Sequence, residues 1–265
     1  MKIITVTTNN PLFIEMQYYS INKFCKFKNE FIVFNDAKNF TDITNYGDLT
    51  IKTQIENTCN KLNIKCINIP NDQHKNITDP SVRHGNSVNF ITTFMINNPD
   101  NYLMIDCDMF FVDNINIADF EKYIFCYVEQ SRIINNKQIC YPWPNLFYIN
   151  MNNIINKNLI NWSPDTGLDS GGKNAKWLTT LQDSNVFKIK HLSSCNWSSE
   201  QIPSNINQNI KVFLENDTRN KNNKYFSEIY NNNIFHYRGG SNWMNQSKNM
   251  HDNLTYLFQK TLYEL

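Results

Sequence analysis

Glycine is scarce, at 7 of 265 residues. The loop after the first apolar run, Thr7-Thr8-Asn9-Asn10-Pro11, holds neither Gly nor Lys. A Gly-rich, basic phosphate loop is therefore missing after the first strand. The 7 cysteines form an odd set without a C-x-x-C pair, so neither a zinc site nor a disulfide framework follows. Free thiols in a reducing cytosol are the simplest account, and a cytoplasmic location is expected. No apolar stretch reaches transmembrane length, so no integral membrane segment is expected. The apolar run in Met1-Lys-Ile-Ile-Thr-Val6 is too short for a signal peptide and reads as a strand. Charge of one sign is lacking too: a formal net charge of +1 gives no field pointing to nucleic acid or an anionic membrane. Internal repeats and low-complexity linkers are also absent.

What is present is the composition of a folded globular chain, with 41% hydrophobic and 14% aromatic residues. At 265 residues it is long enough to bury a full core. Lys2 to Thr8 is rich in β-formers, and Pro11 suits the first turn of a helix running to about Phe24. Glu30 to Phe34 reads as a buried strand that ends in Asn35-Asp36. A helical stretch from about Leu49 to Leu62 leads to a strand over Ile64 to Ile69, stopped by Pro70. Asp79-Pro80-Ser81 opens a further helix, which carries Arg83 and His84 ahead of Phe90, Phe94 and Met95. The order β-α-β-α-β-α-β with short links predicts an α/β fold with a mostly parallel central sheet flanked by helices.

The second half is less regular. Strands are predicted over Tyr123 to Glu129, Leu146 to Ile149 and Val186 to Ile189. Pro142 and Pro144 demote the start of the Gln138 to Met151 segment to an edge or a loop. A helix is expected over Lys173 to Leu181, surface loop from Ser198 to Asn223, and an amphipathic helix at the end.

The chemistry concentrates in Asn101-Tyr-Leu-Met-Ile-Asp-Cys-Asp-Met-Phe-Phe-Val112. A short apolar run stops in two carboxylates, Asp106 and Asp108, and a second apolar run follows. In open α/β sheets, ligands bind outside the carboxyl ends of the strands. Two acids at such an end repel each other unless something neutralises them, and a divalent cation shared with substrate phosphates does so. The plain alternative is a turn in which one Asp caps the next element and the other faces water.

Together with a late His in an aromatic-glycine setting, His236-Tyr-Arg-Gly-Gly-Ser-Asn-Trp243, this pattern resembles the GT-A glycosyltransferases. The likeness is to glycosyltransferase family 8, the group of glycogenin and bacterial galactosyltransferases. In that family an Asp-x-Asp and the His of His-x-x-Gly-x-x-Lys-Pro-Trp bind manganese. The resemblance thus implies Asp106, Asp108 and His236 as ligands of Mn²⁺ or Mg²⁺, with Gly239 and Trp243 matching in kind. Ser241-Asn242 stands where the family has Lys-Pro. The family Lys touches the donor diphosphate, which leaves Arg238 as its candidate replacement. The resemblance also sets Thr7, Thr8 and Asn9 at the nucleoside, Asp36 at the base and Arg83 near the diphosphate. It implies a single GT-A domain over 1–265, with 1–112 as the nucleotide-binding half and 113–265 as the acceptor-side half.

Each of these residues has a plainer reading. His236, between Phe235 and Tyr237, also fits a hydrogen-bonded core histidine, and Arg83 a solvated helix residue. Asp169, in Asp-Ser-Gly-Gly172, is the catalytic candidate: it either orients donor hydroxyls or accepts the acceptor proton in an inverting enzyme. Its alternative is an N-cap for the following helix, and Asp165 is second choice for the same work. The glycines permit close backbone approach to a sugar. Trp143, Trp162, Trp177 and Trp243 either stack on sugar faces or fill the core. The expected activity is transfer of a sugar from a nucleotide-sugar donor, UDP-sugar favoured, to a glycan or other hydroxyl acceptor. The rivals are a sugar nucleotidyltransferase, against which the missing phosphate loop speaks, and a non-catalytic sugar-binding module.

Overall fold

The computed structural model describes residues 1–241 and 247–265. In chain order its elements are β1 (Lys2–Thr7), α1 (Pro11–Phe24), β2 (Glu30–Asn35), α2 (Ile51–Lys61), β3 (Lys65–Asn68), α3 (Pro80–Asn97), β4 (Asn101–Asp106) and β5 (Met109–Phe111). There follow α4 (Ala118–Glu121), β6 (Phe125–Ile134), β7 (Lys137–Asn150), α5 (Asn174–Leu178), β8 (Val186–Lys188) and β9 (His191–Leu192). The chain ends with α6 (Gln208–Asn216), β10 (Glu228–Tyr230), β11 (Ile234–His236) and α7 (Lys248–Tyr263). Contacts divide it into two compact units. One holds Met1–Asn9, Asn29–Asp106 and Ile117–Ile189; the other holds Asn10–Lys28, Cys107–Asn116 and Lys190–Leu265.

The first unit is built on a seven-stranded sheet in the order β3-β2-β1-β4-β7-β6-β8. The pairs β2–β3, β1–β2, β1–β4 and β6–β8 are parallel, whereas β7 runs antiparallel to β4 and β6. This is the mostly parallel, helix-flanked α/β arrangement expected from the sequence. Ile3–Thr7, Phe31–Asn35 and Tyr102–Ile105 are buried without interruption, as strands covered on both faces must be. Asp79 caps α3 by accepting the Ser81 N–H at 2.8 Å, and Pro80 takes the first turn, where its missing N–H is harmless. Val88, Ile91 and Met95 of α3 then enter a core with Ile4, Phe34, Met104 and Phe147. Each such burial is worth roughly 1.5–3 kcal/mol, more than a typical cap at about 1 kcal/mol. Trp162 and Trp177 belong to that core: Trp162 stacks on Phe147 at 4.5 Å, and Trp177 meets Phe125 edge-on at 5.0 Å.

The prolines do not end β7. Tyr127 pairs with Phe147 but Glu129 with Pro142, so Pro144 falls inside a bulge, where no ladder donor is needed. The β4 pairing begins only at Leu146. Asn135 and Asn136, with φ of 49° and 61°, close the β6–β7 hairpin in the left-handed conformation such turns demand.

The second unit holds a four-stranded sheet, β5-β11-β10-β9, with antiparallel pairing throughout. Its core gathers Phe13, Phe110, Phe213, Phe235, Tyr237 and Phe258. The stretch expected to be surface loop from Ser198 to Asn223 contains α6, whose Ile210, Phe213 and Leu214 are buried. Those three apolar positions recur at helical spacing, but the asparagines around them mask the pattern. No helix among the described residues is long and apolar enough to cross a membrane.

Candidate functional site

The tripeptide after the buried part of β4 carries three potential ligands. The ligand atoms of Asp106, Cys107 and Asp108 lie within 4.8 Å of one another. Asp106 closes β4 and is half-buried, and its carboxylate accepts a hydrogen bond from the Asn145 side chain. Asn145 stands on β7 one place beyond the Ile105–Leu146 pair, so the antiparallel register brings it to the carboxylate. The remaining amide oxygen of Asn145 is buried without a hydrogen-bond partner.

Within the second unit, sheet pairing assembles a buried line of charge. Asp108 directly precedes β5, His236 ends β11 and Glu228 opens β10, with Glu228 opposite His236 and His236 opposite Met109. His236 Nδ1 is 2.8 Å from Glu228 Oε2, and Nε2 is 3.2 Å from Asp108 Oδ1. Glu228 is held further by the Ser194 N–H on Oε1 at 3.0 Å and the Tyr230 hydroxyl on Oε2 at 2.5 Å. Asp108 Oδ2 accepts the Ser241 N–H and hydroxyl, each at 3.2 Å. Gly239, at φ 74°, turns the chain so that Ser241 comes back to Asp108. Gly240 fits beneath because a Cβ there would strike the rings of Tyr237 and Phe13 at 2.6 and 2.8 Å.

Burial alone would depress the His236 pKa, but the charges of Asp108 and Glu228 overcome it and push the imidazole up to about 10. Burial would raise Glu228, yet the hydrogen bond and charge of His236, with Tyr230 and Ser194, hold it down at about 2. Asp108 is likewise held below the usual carboxylate range against its burial, by His236 and Ser241.

These residues fit a hard divalent cation. Asp108 is 2% exposed and His236 6%, and Asp108 Oδ1 faces Nε2 at 3.2 Å. Ligands at about 2.1 Å from an octahedral ion and at right angles to one another stand ~3.0 Å apart, close to that separation. Carboxylate oxygens with one imidazole nitrogen are donors suited to Mn²⁺ or Mg²⁺.

Asp36 and Arg83, in the first unit, are spent on the chain. Asp36 Oδ1 accepts from Lys38 Nζ at 2.8 Å and Asn71 Nδ2 at 2.7 Å, and Oδ2 from Ser87 Oγ at 2.8 Å. Lys38, 1% exposed, also donates to His74 Nδ1 at 2.9 Å, and burial pulls its pKa down despite Asp36. The Arg83 guanidinium grips Asp42 with two bonds of 2.9 and 2.8 Å and donates to the Ile77 and His74 carbonyls. Thr7 is buried and its carbonyl accepts the Asp36 N–H at 2.8 Å, while Thr8 and Asn9 are half-buried. In the second unit Arg238 is exposed, donates to Ser194 Oγ at 2.8 Å and lies 5.1 Å over the Phe226 ring. Trp243 lies outside the described residues.

Asp169 is not the cap of α5. That helix starts from Lys173 with no side-chain cap, whereas Asp169 Oδ1 accepts the Ser81 hydroxyl at 2.5 Å and the Ser170 N–H at 2.7 Å. The glycines after it serve close approach of chain to chain. A Cβ on Gly171 would collide with the Pro142 carbonyl, and one on Gly172 would meet Leu168 at 2.5 Å. Asp165 is exposed and bonds the Thr166 N–H at 2.9 Å.

Glu228, Asn145 and Ser81 escaped the sequence reading. Each acts through a partner distant in sequence, and the one local sign was an acid two places before an aromatic in Glu228-Ile-Tyr230.

No protein-family model matches the chain, and no curated protein does. Among solved structures, the chain is similar to a galactosyltransferase, LgtC, in complex with donor and acceptor sugar analogs. The identity is 10% and the TM-score 0.37, over 71% of this chain and 73% of that one. At that level the likeness is too weak to bear on function, which rests on the residues themselves.

Proposed function

We propose that the chain is a metal-dependent glycosyltransferase that moves a sugar from a nucleotide-sugar donor, UDP-sugar favoured, to a glycan or other hydroxyl acceptor. The observation that carries this reading is the buried Glu228–His236–Asp108 line, with Nε2 and Asp108 Oδ1 at 3.2 Å, joined through Cys107 to Asp106 at a strand end. Asp106, Asp108 and His236 would hold Mn²⁺ or Mg²⁺. A cation bound there supplies Lewis-acid stabilisation to a diphosphate leaving group.

The chain's own groups do the rest. Ser241 pins one oxygen of Asp108 and leaves the other turned to Nε2, and Asn145 holds Asp106. Arg238, exposed beside Ser194, is the cation proposed for the diphosphate, since Arg83 pairs with Asp42. A guanidinium suits that task because its planar fork matches phosphate oxygens. Asp169, oriented by Ser81 and Ser170, serves the transferred sugar or takes the acceptor proton. Thr7, Thr8 and Asn9 are proposed to line the nucleoside end, the Asp36 carboxylate being taken by Lys38, Asn71 and Ser87, within a single domain whose 1–112 half binds nucleotide and whose 113–265 half serves the acceptor.

The test pairs ligand binding with turnover. Two carboxylates and an imidazole are a weak cage for a cation that keeps its waters, and a diphosphate alone would meet Asp106 and Asp108 as like charges. Mn²⁺ and UDP should therefore bind as a unit. At about 100 times the dissociation constant this adds roughly 2.7 kcal/mol, a rise of several degrees in melting temperature, with little from either alone. A screen of nucleotide sugars should find one that is hydrolysed with Mn²⁺ and spared by Asp108→Asn. If no nucleoside diphosphate, GDP included, moves the melting curve with metal, the reading fails.

A further inference from the structure

Glu228 is a buried carboxylate with no part in the ligand set, and its surroundings fix it in one pose. It sits directly across the β10–β11 ladder from His236. Tyr230, two residues on and so on the same face of β10, closes over Oε2 at 2.5 Å, and the Ser194 N–H takes Oε1 at 3.0 Å. The acceptor aimed at Nδ1, 2.8 Å away, therefore cannot swing aside. Stability alone is a poor reason for such a group, because a buried ion pair often gives no more than apolar residues of the same volume. A carboxylate on the far nitrogen of a metal-ligating imidazole has a specific consequence instead. It keeps the proton on that nitrogen, fixes the ring plane and makes the other nitrogen a better ligand.

We infer that Glu228 is a positioning residue for the cation site, holding His236 with Nδ1–H on the carboxylate and Nε2 turned toward Asp108. This rests on the reading of Asp106, Asp108 and His236 as cation ligands. Tyr230 and Ser194 are then the groups that aim Glu228, so the ordering runs from the β9–β10 edge inward to the ligand. It is specific to Nδ1, because Asp108 occupies the opposite side of the ring.

The experiment measures Mn²⁺ retention, not turnover. Free Mn²⁺ is followed by electron paramagnetic resonance in the presence of saturating UDP, for the full chain and for Asp108→Asn, Glu228→Gln and Glu228→Leu. Thermal unfolding of each metal-free protein is recorded alongside. Glu228→Leu should raise the Mn²⁺ dissociation constant about 10–100-fold, the range for loss of such a partner. Glu228→Gln keeps an acceptor, though an uncharged and weaker one, and should fall between, near threefold to tenfold. That graded recovery is the signature of orientation; a purely structural role would lower the melting temperature while leaving the affinity of the folded protein unchanged. If both Glu228 variants hold Mn²⁺ within twofold of the parent while Asp108→Asn does not, the inference is overturned and the cation site stands. If Glu228→Leu does not fold, an unchanged affinity in Glu228→Gln overturns it alone. If the parent chain itself shows no saturable Mn²⁺, the site reading fails and the inference with it.

Discussion

Asp169 and Asp108 share a design in which one carboxylate oxygen is engaged by two donors of the chain. For Asp169 the engaged oxygen takes the Ser81 hydroxyl and the Ser170 N–H. Asparagine can accept both through its amide oxygen, so Asp169→Asn should leave the melting temperature within a few degrees of the parent. Turnover should fall by about 100-fold or more if the lost charge orients sugar or accepts a proton, while Mn²⁺–UDP affinity stays put. Equal turnover in the two proteins, measured with that affinity, would remove Asp169 from the chemistry. At this scale the sequence showed the residues whose type is itself a signal. Two acids at a strand end and a histidine among aromatics stand out, and the structure sets Asp108 and His236 3.2 Å apart. Glu228, Asn145 and Ser81 were illegible because each takes its meaning from a partner 8, 39 and 88 residues away. Strand register supplies the first two of those partners, and strands of three residues such as β10 and β11 are too short to display a period.

Elements are legible in the sequence wherever burial or capping leaves a mark along the chain. The unbroken apolar runs of β1, β2 and β4, and Pro11 and Asp79-Pro80 ahead of α1 and α3, are local signals that the structure realises. What the sequence hid depends on non-local pairing: α6 is a helix because its buried face has a core to enter, whereas the start of β7, with Pro142 and Pro144, pairs with β6 alone until Leu146 and is the edge its prolines imply. The loop carrying Asp169 shows the same dependence. Gly171 has φ 90°, and a Cβ there would collide with the Pro142 carbonyl of β7. Gly171→Ala must relieve both backbone strain and a backbone clash, so it should destabilise by about 2–4 kcal/mol. Gly167→Ala is the control. Its φ is 74°, but its nearest neighbour, at 3.0 Å, is the end of the flexible Ile134 side chain, and it should lose about half as much or less. Urea unfolding of the two variants compares them directly; equal losses would show that Pro142 does not crowd Gly171.

For the whole molecule, acid is the sensitive direction, because each compact unit buries a histidine in its neutral form. His74, in the first unit, is fully buried, and its pKa is lowered first by burial and then by the Lys38 charge, with Asp36 opposing. His251, in the second, is lowered to about 4, chiefly by burial; Asp252 opposes this, and Arg219 and Lys248 add to it. The unfolded chain titrates these groups near 6.5. Between 6.5 and about 4 it therefore takes up protons that the folded chain refuses, and stability falls as pH falls. Above 6.5 the contribution is complete. His236 does not enter this balance, since a bound cation would set its protonation. The His251 shift corresponds to roughly 3 kcal/mol at its fullest and about 2 kcal/mol by pH 5, a drop of about 5 °C in melting temperature over that window for a chain of this length. Melting curves in low salt at pH 7.5, 6 and 5 should show that decline, and His251→Leu should remove a clear part of it, since a leucine has nothing to protonate. A decline of the same size in His251→Leu would mean that the acid sensitivity arises from other groups.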